Sequence, residues 1–581
     1  MRRLLRAIRN EQSILFALAA AIGVAVGYGV IGFRHLIGLF QLLFYSSDSE
    51  EYFATVVEVL PAWHVLLAPA IGGLMIGLFV HYLMPDRRNH GVADIIEACA
   101  LRGGRMNGRA GVGAALAAAA SIGAGASVGR EGPAVHLGAS VSAWIAERLR
   151  LSRNLSLTLI GCGAAAAVAA SFNAPIAGVF FALEVVVGHY ALNVFAPIVI
   201  SSVIATMVTQ LYLGDTPAFL FVPEYFVVSF LEVPAFVLLG LVCAGIAAAF
   251  MHSTMFAQDT FARLPIPPWL RPAVGGFAVG AIALLYPQVL GVGYQATDLA
   301  LKEAFTLTML IGLVVAKTAA TAIALGSGFA GGVFSPSLFL GAMTGGAFGI
   351  IAGSAFPEYA STHGAYTIIG MGGVAAAVLG APISTILIVF ELTSNYQLTI
   401  AVMIVAVLAS MVSQRLARRS FFVWQLERRG IHLRTAQETA MLLAITVDDL
   451  ISEDYAVIST SATLKQVCQL LAQKRPAALL VVDEQERLCG YLASADVVKA
   501  TLDQRGEITA GDIARPSKNV ILPHASLERA LKLIAAQDEE YLPVVDDTGK
   551  SRVVGVVYHR DLIRAHNRAL LAARAEERGD T

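Results

Sequence analysis

Long, almost uncharged apolar stretches recur up to about residue 430, among them residues 14–33, 65–83, 236–250 and 307–325. Each is near the length of about 20 residues that a bilayer-spanning helix requires. In lipid every backbone N–H and C=O must find a partner within the protein, which for such segments leaves a bundle of helices. Hydrophobic residues make up 56% of the chain and charged ones 14%, against about a quarter charged in an ordinary soluble domain. A polytopic, mostly α membrane protein is the fold this dictates. The opening MRRLLRAIRN precedes an apolar block longer than the about 7 to 15 residues of a secretory signal, and we read that block as a retained first span. Nothing up to residue 430 pairs a nucleophile with a base, so no catalytic residue and no enzymatic activity are expected there.

Net charge is −1, which favours neither an anionic nor a cationic partner, and no nucleic-acid partner is expected. Arg2, Arg3, Arg6 and Arg9 precede the first span, and Arg415, Arg418, Arg419, Arg428 and Arg429 follow the last. The positive-inside tendency then predicts cytosolic N- and C-termini, and a cell (plasma or inner) membrane location is expected. Cys99, Cys162, Cys243, Cys468 and Cys489 show no CxxC spacing, so no redox or metal site is expected.

Residues 1–430 form the predicted transmembrane domain and 431–581 a soluble α/β tail, in which short strands alternate with amphipathic helices. The tail repeats itself: ALLVVDEQERLCGYLASADVVKA at 478–500 is answered by YLPVVDDTGKSRVVGVVYHRDLIRA at 541–565, giving units of about 446–500 and 508–567.

The membrane block is duplicated too, in halves of roughly 13–215 and 227–416. SIGAGASVGREGPAVHLGA (121–139) aligns with ALGSGFAGGVFSPSLFLGA (324–342), and NAPIAGVFFALE (173–184) with GAPISTILIVFE (380–391). Two halves with Gly/Pro-interrupted apolar segments at corresponding places are the sequence mark of an inverted-repeat transporter, whose site lies where the broken segments meet. Helices opening at such a break present N–H groups and a partial positive charge, which attract an anion without trapping it on a fixed cation. The carboxylate inside the break is Glu131, in GREGP. It either pairs with Arg130 to brace the turn or, being itself an anion, occupies the anion's place as a gate; ionisable groups at membrane depth favour the gate.

GREGP, the mirror-related GGVFSP and the intervening FNAPIAGVFFALE together resemble the chloride channel and transporter (CLC) family over residues 10–430, and the tail resembles a pair of cystathionine-β-synthase-type (CBS) modules. The resemblance implies a homodimer with one path for chloride or a similar small anion per subunit. It places the gate at Glu131, with anion-coordinating groups at Val333 and Phe334 and, around the GREGP turn, at Gly129 and Arg130. His90, in NHGVA (89–93), stands where the family carries an inner serine. Phe422, or Phe421 if the register slips by one, stands where it carries a tyrosine. Proton-coupled members carry a second acid after the residue matching Glu184; here Val185 follows, as in channel members. We therefore expect gated passive chloride transport. The alternatives are a proton-coupled chloride antiporter with a non-standard route, for instance through His136, and, more remotely, a CBS-regulated transporter of another ion. Fluoride is disfavoured, because both broken segments follow the chloride pattern. Glu184 is expected to be structural, His90 a solvent-exposed vestibule residue, and Lys317 either a source of positive potential or a snorkelling side chain. Asp496 and Asp561 match ribose-binding positions of nucleotide-binding modules, but the preceding Thr or Ser is replaced by Ala493 and Tyr558. A structural role for the tail is favoured over adenine-nucleotide sensing, and no cofactor is required.

Overall fold

The computed structural model describes residues 11–47, 52–188, 192–214, 225–417, 419–431, 445–474, 478–502, 508–517, 519–535, 540–546 and 552–578. Arg2, Arg3, Arg6, Arg9 and Arg418 lie outside them. The chain divides into two compact units, 1–431 and 432–581.

Among the described residues of the first unit, eight helices are long and apolar enough to cross a membrane, from Gln12–Tyr45 to Tyr396–Arg428. Around them run shorter apolar helices such as His363–Leu379 and Pro382–Thr393. The duplication read from sequence is repeated in the backbone. Gly125 and Gly328 end their helices at φ of +90° and +108°, a left-handed conformation that costs glycine little. Arg130 (φ −91°, ψ −20°) and Val333 (φ −98°, ψ −4°) then open the helices Glu131–Arg148 and Phe334–Ala355. Asn173 and Gly380 are both left-handed caps, and Ala174 (φ −131°, ψ 79°) matches Ala381 (φ −130°, ψ 66°) ahead of Pro175 and Pro382. Asparagine tolerates a position where its counterpart is glycine because its short side chain makes the left-handed region accessible.

Helices pack closely where small residues face each other. A Cβ on Gly163 would come 2.2 Å from the carbonyl oxygen of Gly138, and in the other half one on Gly370 would come 2.5 Å from that of Gly341. The Ala-rich helix Arg153–Phe172 is buried almost throughout. Glu184 and Glu391 tie the halves together by a crossed exchange. Glu391 accepts from the N–H groups of Ile176 (2.9 Å) and Ala177 (2.7 Å). Glu184 accepts from those of Ile383 (3.1 Å) and Ser384 (2.9 Å) and from the Ser384 hydroxyl (2.5 Å). Each carboxylate therefore supplies acceptors to the otherwise unpaired first turn of the opposite half's Pro-initiated helix.

The second unit holds two small sheets. β1 (Tyr455–Ser459) runs parallel to β2 (Ala478–Val482), which pairs antiparallel with β3 (Leu488–Tyr491). β4 (Tyr541–Val545) pairs antiparallel with β5 (Val553–Tyr558). Thr446 with Asp449, and Thr509 with Asp512, form equivalent capping boxes at the start of each repeat. Ala478, Leu480, Val556 and Tyr558 bury against one another between the repeats.

Candidate functional site: an anion path at the meeting of the broken helices

The two Gly-rich breaks join through an antiparallel pair of hydrogen bonds. Gly129 N–H donates to the Gly332 carbonyl and Gly332 N–H to that of Gly129, each at 2.7 Å. From this junction the Glu131–Arg148 and Phe334–Ala355 helices begin, with Gly132 and Gly332 so close that a Cβ on Gly132 would lie 3.2 Å from Gly332 Cα. Gly129 is thereby corrected as an anion ligand, since its N–H is committed to Gly332.

Beside the junction lies a cavity of about 150 Å³, enough for several waters or a hydrated ion. Of the expected site residues, Glu131, Val333, Phe334, His90 and Phe422 all line it, and Phe421 lines it beside Phe422. Val333 and Phe334 open their helix at its wall, where first-turn N–H groups have no intrahelical partner. Phe421 and Phe422 start the helix Phe421–Arg428. Arg130 does not line the cavity: its guanidinium lies 4.6 Å over the Tyr294 ring, with Nε 3.9 Å from Glu131 Oε1.

Glu131 is fully buried. Tyr294 donates its hydroxyl to Oε1 at 2.7 Å and Ser335 donates to Oε2 at 2.5 Å. The carboxylate thus sits beside the start of the Phe334–Ala355 helix, and both hydroxyls approach it more closely than Arg130 does. Neither hydroxyl was singled out from the sequence: Ser335 follows Val333 and Phe334 in GVFSP, and nothing in GVGYQ marks Tyr294.

The inner end differs from expectation. His90 is not an exposed vestibule residue: its side chain is 6% exposed, Nδ1 lies 3.5 Å from Asp94, and the ring stacks on His136 at 5.6 Å. Asp94, a second carboxylate lining the cavity, accepts from Gly91 N–H (2.8 Å) and so caps the helix Val92–Leu101. Arg88 (2.5 Å) and Arg429 (3.0 Å) balance its charge. His136 Nδ1 is buried and finds no hydrogen-bond partner among the described residues. Val185, within the π-helical turn Ala182–Val187, packs against the core. Lys317 does not snorkel; it is fully buried, and its ammonium donates to the carbonyls of Val289 (2.9 Å) and Gly291 (3.0 Å).

In the tail, Asp496 is held by Arg515 in a two-point contact of 2.5 and 2.8 Å. The hydrogen bond and charge of that guanidinium keep its carboxyl below the usual carboxylate range. Asp561 faces Arg560 (3.8 Å) and Arg564 (3.6 Å).

A membrane domain of two halves joined at broken helices, with a cavity of mixed polar and apolar lining at the junction, is the architecture of a membrane transport protein. The model of the voltage-gated chloride channel family matches residues 72–414, and that of the CBS domain matches 447–503 and 510–568. The chain belongs to the CLC chloride channel family and carries two CBS domains. It is 33% identical over 398 residues to the "Putative chloride channel protein ClcB-like" of Ralstonia nicotianae, covering 68% of this chain and 92% of that one. Its fold is that of a slow cyanobacterial Cl−/H+ antiporter (TM-score 0.63, 23% identity, 71% of this chain and 97% of that one). A eukaryotic CLC transporter is also similar in fold (TM-score 0.61, 18% identity, 95% of this chain and 99% of that one).

Proposed function

We propose that this member of the family passes chloride passively through a path closed by Glu131. The observation that carries this reading is the docked carboxylate: a buried anion held by two hydroxyls at the start of the Phe334–Ala355 helix must leave before chloride can occupy that place. A neutral carboxyl would make weaker contacts with both hydroxyls than a charged one, so the uncharged form of Glu131 is the open form in this reading. Passive flow is supported by the apolar Val185 following Glu184, whose own carboxylate is spent on Ile383 and Ser384. The name of the Ralstonia relative, a chloride channel protein, agrees with this reading. We further propose a homodimer with cytosolic termini, in which the CBS pair has a structural role.

Proton-coupled exchange is the second reading, favoured by the stacked His90 and His136 with Asp94 at the cavity, and by the antiporter among the solved folds. Glu131→Gln separates gate from brace. A neutral isostere should give chloride flux at neutral pH equal to the wild type's acid-opened flux and remove its pH dependence; flux with an unchanged pH response would end the gate assignment.

A further inference from the structure

We propose that Tyr294 is the latch of the gate and that Lys317 is the positioning residue that presents it, an inference resting on the reading of Glu131 as gate. Tyr294 opens the short helix Tyr294–Leu301 directly after Gly293, whose φ of +95° turns the chain so that the tyrosine hydroxyl reaches Glu131 Oε1 at 2.7 Å. The segment before that turn is irregular backbone inside the membrane unit, and its carbonyls need donors. One ammonium supplies them: Lys317 donates to Val289 at 2.9 Å, Gly291 at 3.0 Å and Val292 at 3.5 Å. The same Nζ lies 5.0 Å from the ring centroid of Phe339, on the helix that carries Ser335, the second donor to Glu131. Gly291 N–H also reaches the Gly125 carbonyl at 3.4 Å, in the break that leads to GREGP. Lys317 thus fastens, from behind, the elements that hold the carboxylate.

A tyrosine hydroxyl donating to an ionised carboxylate stabilises the charged, docked form over the neutral, released one. Removing it should favour opening. The other charged or titratable groups around Glu131 are Arg130 at 3.9 Å and, on the cavity, His90, Asp94 and Arg429, with His136 behind His90. Since Tyr294→Phe leaves all of these in place, a shift it causes belongs to the hydroxyl.

The test is chloride efflux from liposomes holding the full-length protein, measured over a series of external pH values. Tyr294→Phe should move the midpoint of opening about one unit to higher pH, a tenfold change in the shut-to-open ratio, and should have no further effect on top of Glu131→Gln. Lys317→Met should move the midpoint the same way with Tyr294 present. Should that variant not fold, Lys317→Gln, whose amide reaches fewer carbonyls, should give an intermediate shift. An unmoved midpoint in Tyr294→Phe, while Glu131→Gln abolishes the pH response, overturns the latch and leaves the gate standing. An intact pH response in Glu131→Gln removes the gate itself. Equal effects of Tyr294→Phe with and without Glu131→Gln show that the tyrosine does not act through the glutamate, and a folded Lys317 variant with wild-type behaviour removes the lysine's role.

Discussion

Replacing Glu391 by alanine should destabilise the membrane unit without altering its anion path. The carboxylate takes two backbone N–H groups, those of Ile176 and Ala177, at 2.9 and 2.7 Å. Hydrogen bonds to a charged acceptor are worth about 1.5–3 kcal/mol each, and water can reach this half-buried site to replace part of the loss. The low end applies, giving about 3 kcal/mol for the pair. At about 2 °C per kcal/mol for a large domain, the apparent Tm should fall by about 6 °C in thermal unfolding of the detergent-solubilised protein at a fixed scan rate. Glu184→Ala, which removes three such contacts, should fall at least as far. Because both carboxylates face helix starts of the opposite half, surviving protein should keep the wild-type chloride selectivity and pH midpoint. An unchanged Tm together with lost transport would refute the structural assignment and put these acids in the path.

Phe422→Tyr adds a hydroxyl to the cavity wall beside Val333 and Phe334. It should change the chloride-to-nitrate permeability ratio about two- to threefold, of the order of one weak hydrogen bond, as read from reversal potentials or paired efflux assays. An unchanged ratio, with a change in Phe421→Tyr instead, would shift the register by one. In the tail, Asp496 is already paired with Arg515. Radiolabelled ATP should therefore show no saturable binding to the purified chain; saturable binding lost in Asp496→Ala would contradict the structural role given to the tail.

Periodicity and duplication made most of the fold legible. The matched motifs at 121–139 and 324–342 foretold a two-fold arrangement, and the backbone repeats it down to single dihedral angles at Arg130 and Val333. Glu131 could be found because a carboxylate in a Gly-rich break has few structural uses. What stayed hidden depended on distant contacts. Tyr294 lies 163 residues from Glu131, and no local pattern signals that a tyrosine will reach across that separation. Gly129 read as an open amide, yet its partner Gly332 comes from the other half. His90 read as a solvent-exposed vestibule residue, whereas stacking on His136 and the approach of Asp94 bury its side chain. Lys317, in an apolar span, gave no hint that backbone carbonyls would enclose its ammonium.

The central claim, passive chloride flow gated by Glu131, is tested most directly by recording chloride efflux and internal pH together. The purified protein would be placed in liposomes with an outward chloride gradient, with the potential clamped by valinomycin. The account predicts acid-stimulated chloride efflux with no coupled proton movement, and the same efflux, independent of pH, for Glu131→Gln. Proton uptake against its own gradient, driven by chloride at a fixed ratio, would contradict it and move the assignment to an antiporter whose protons pass by His90, His136 or Asp94.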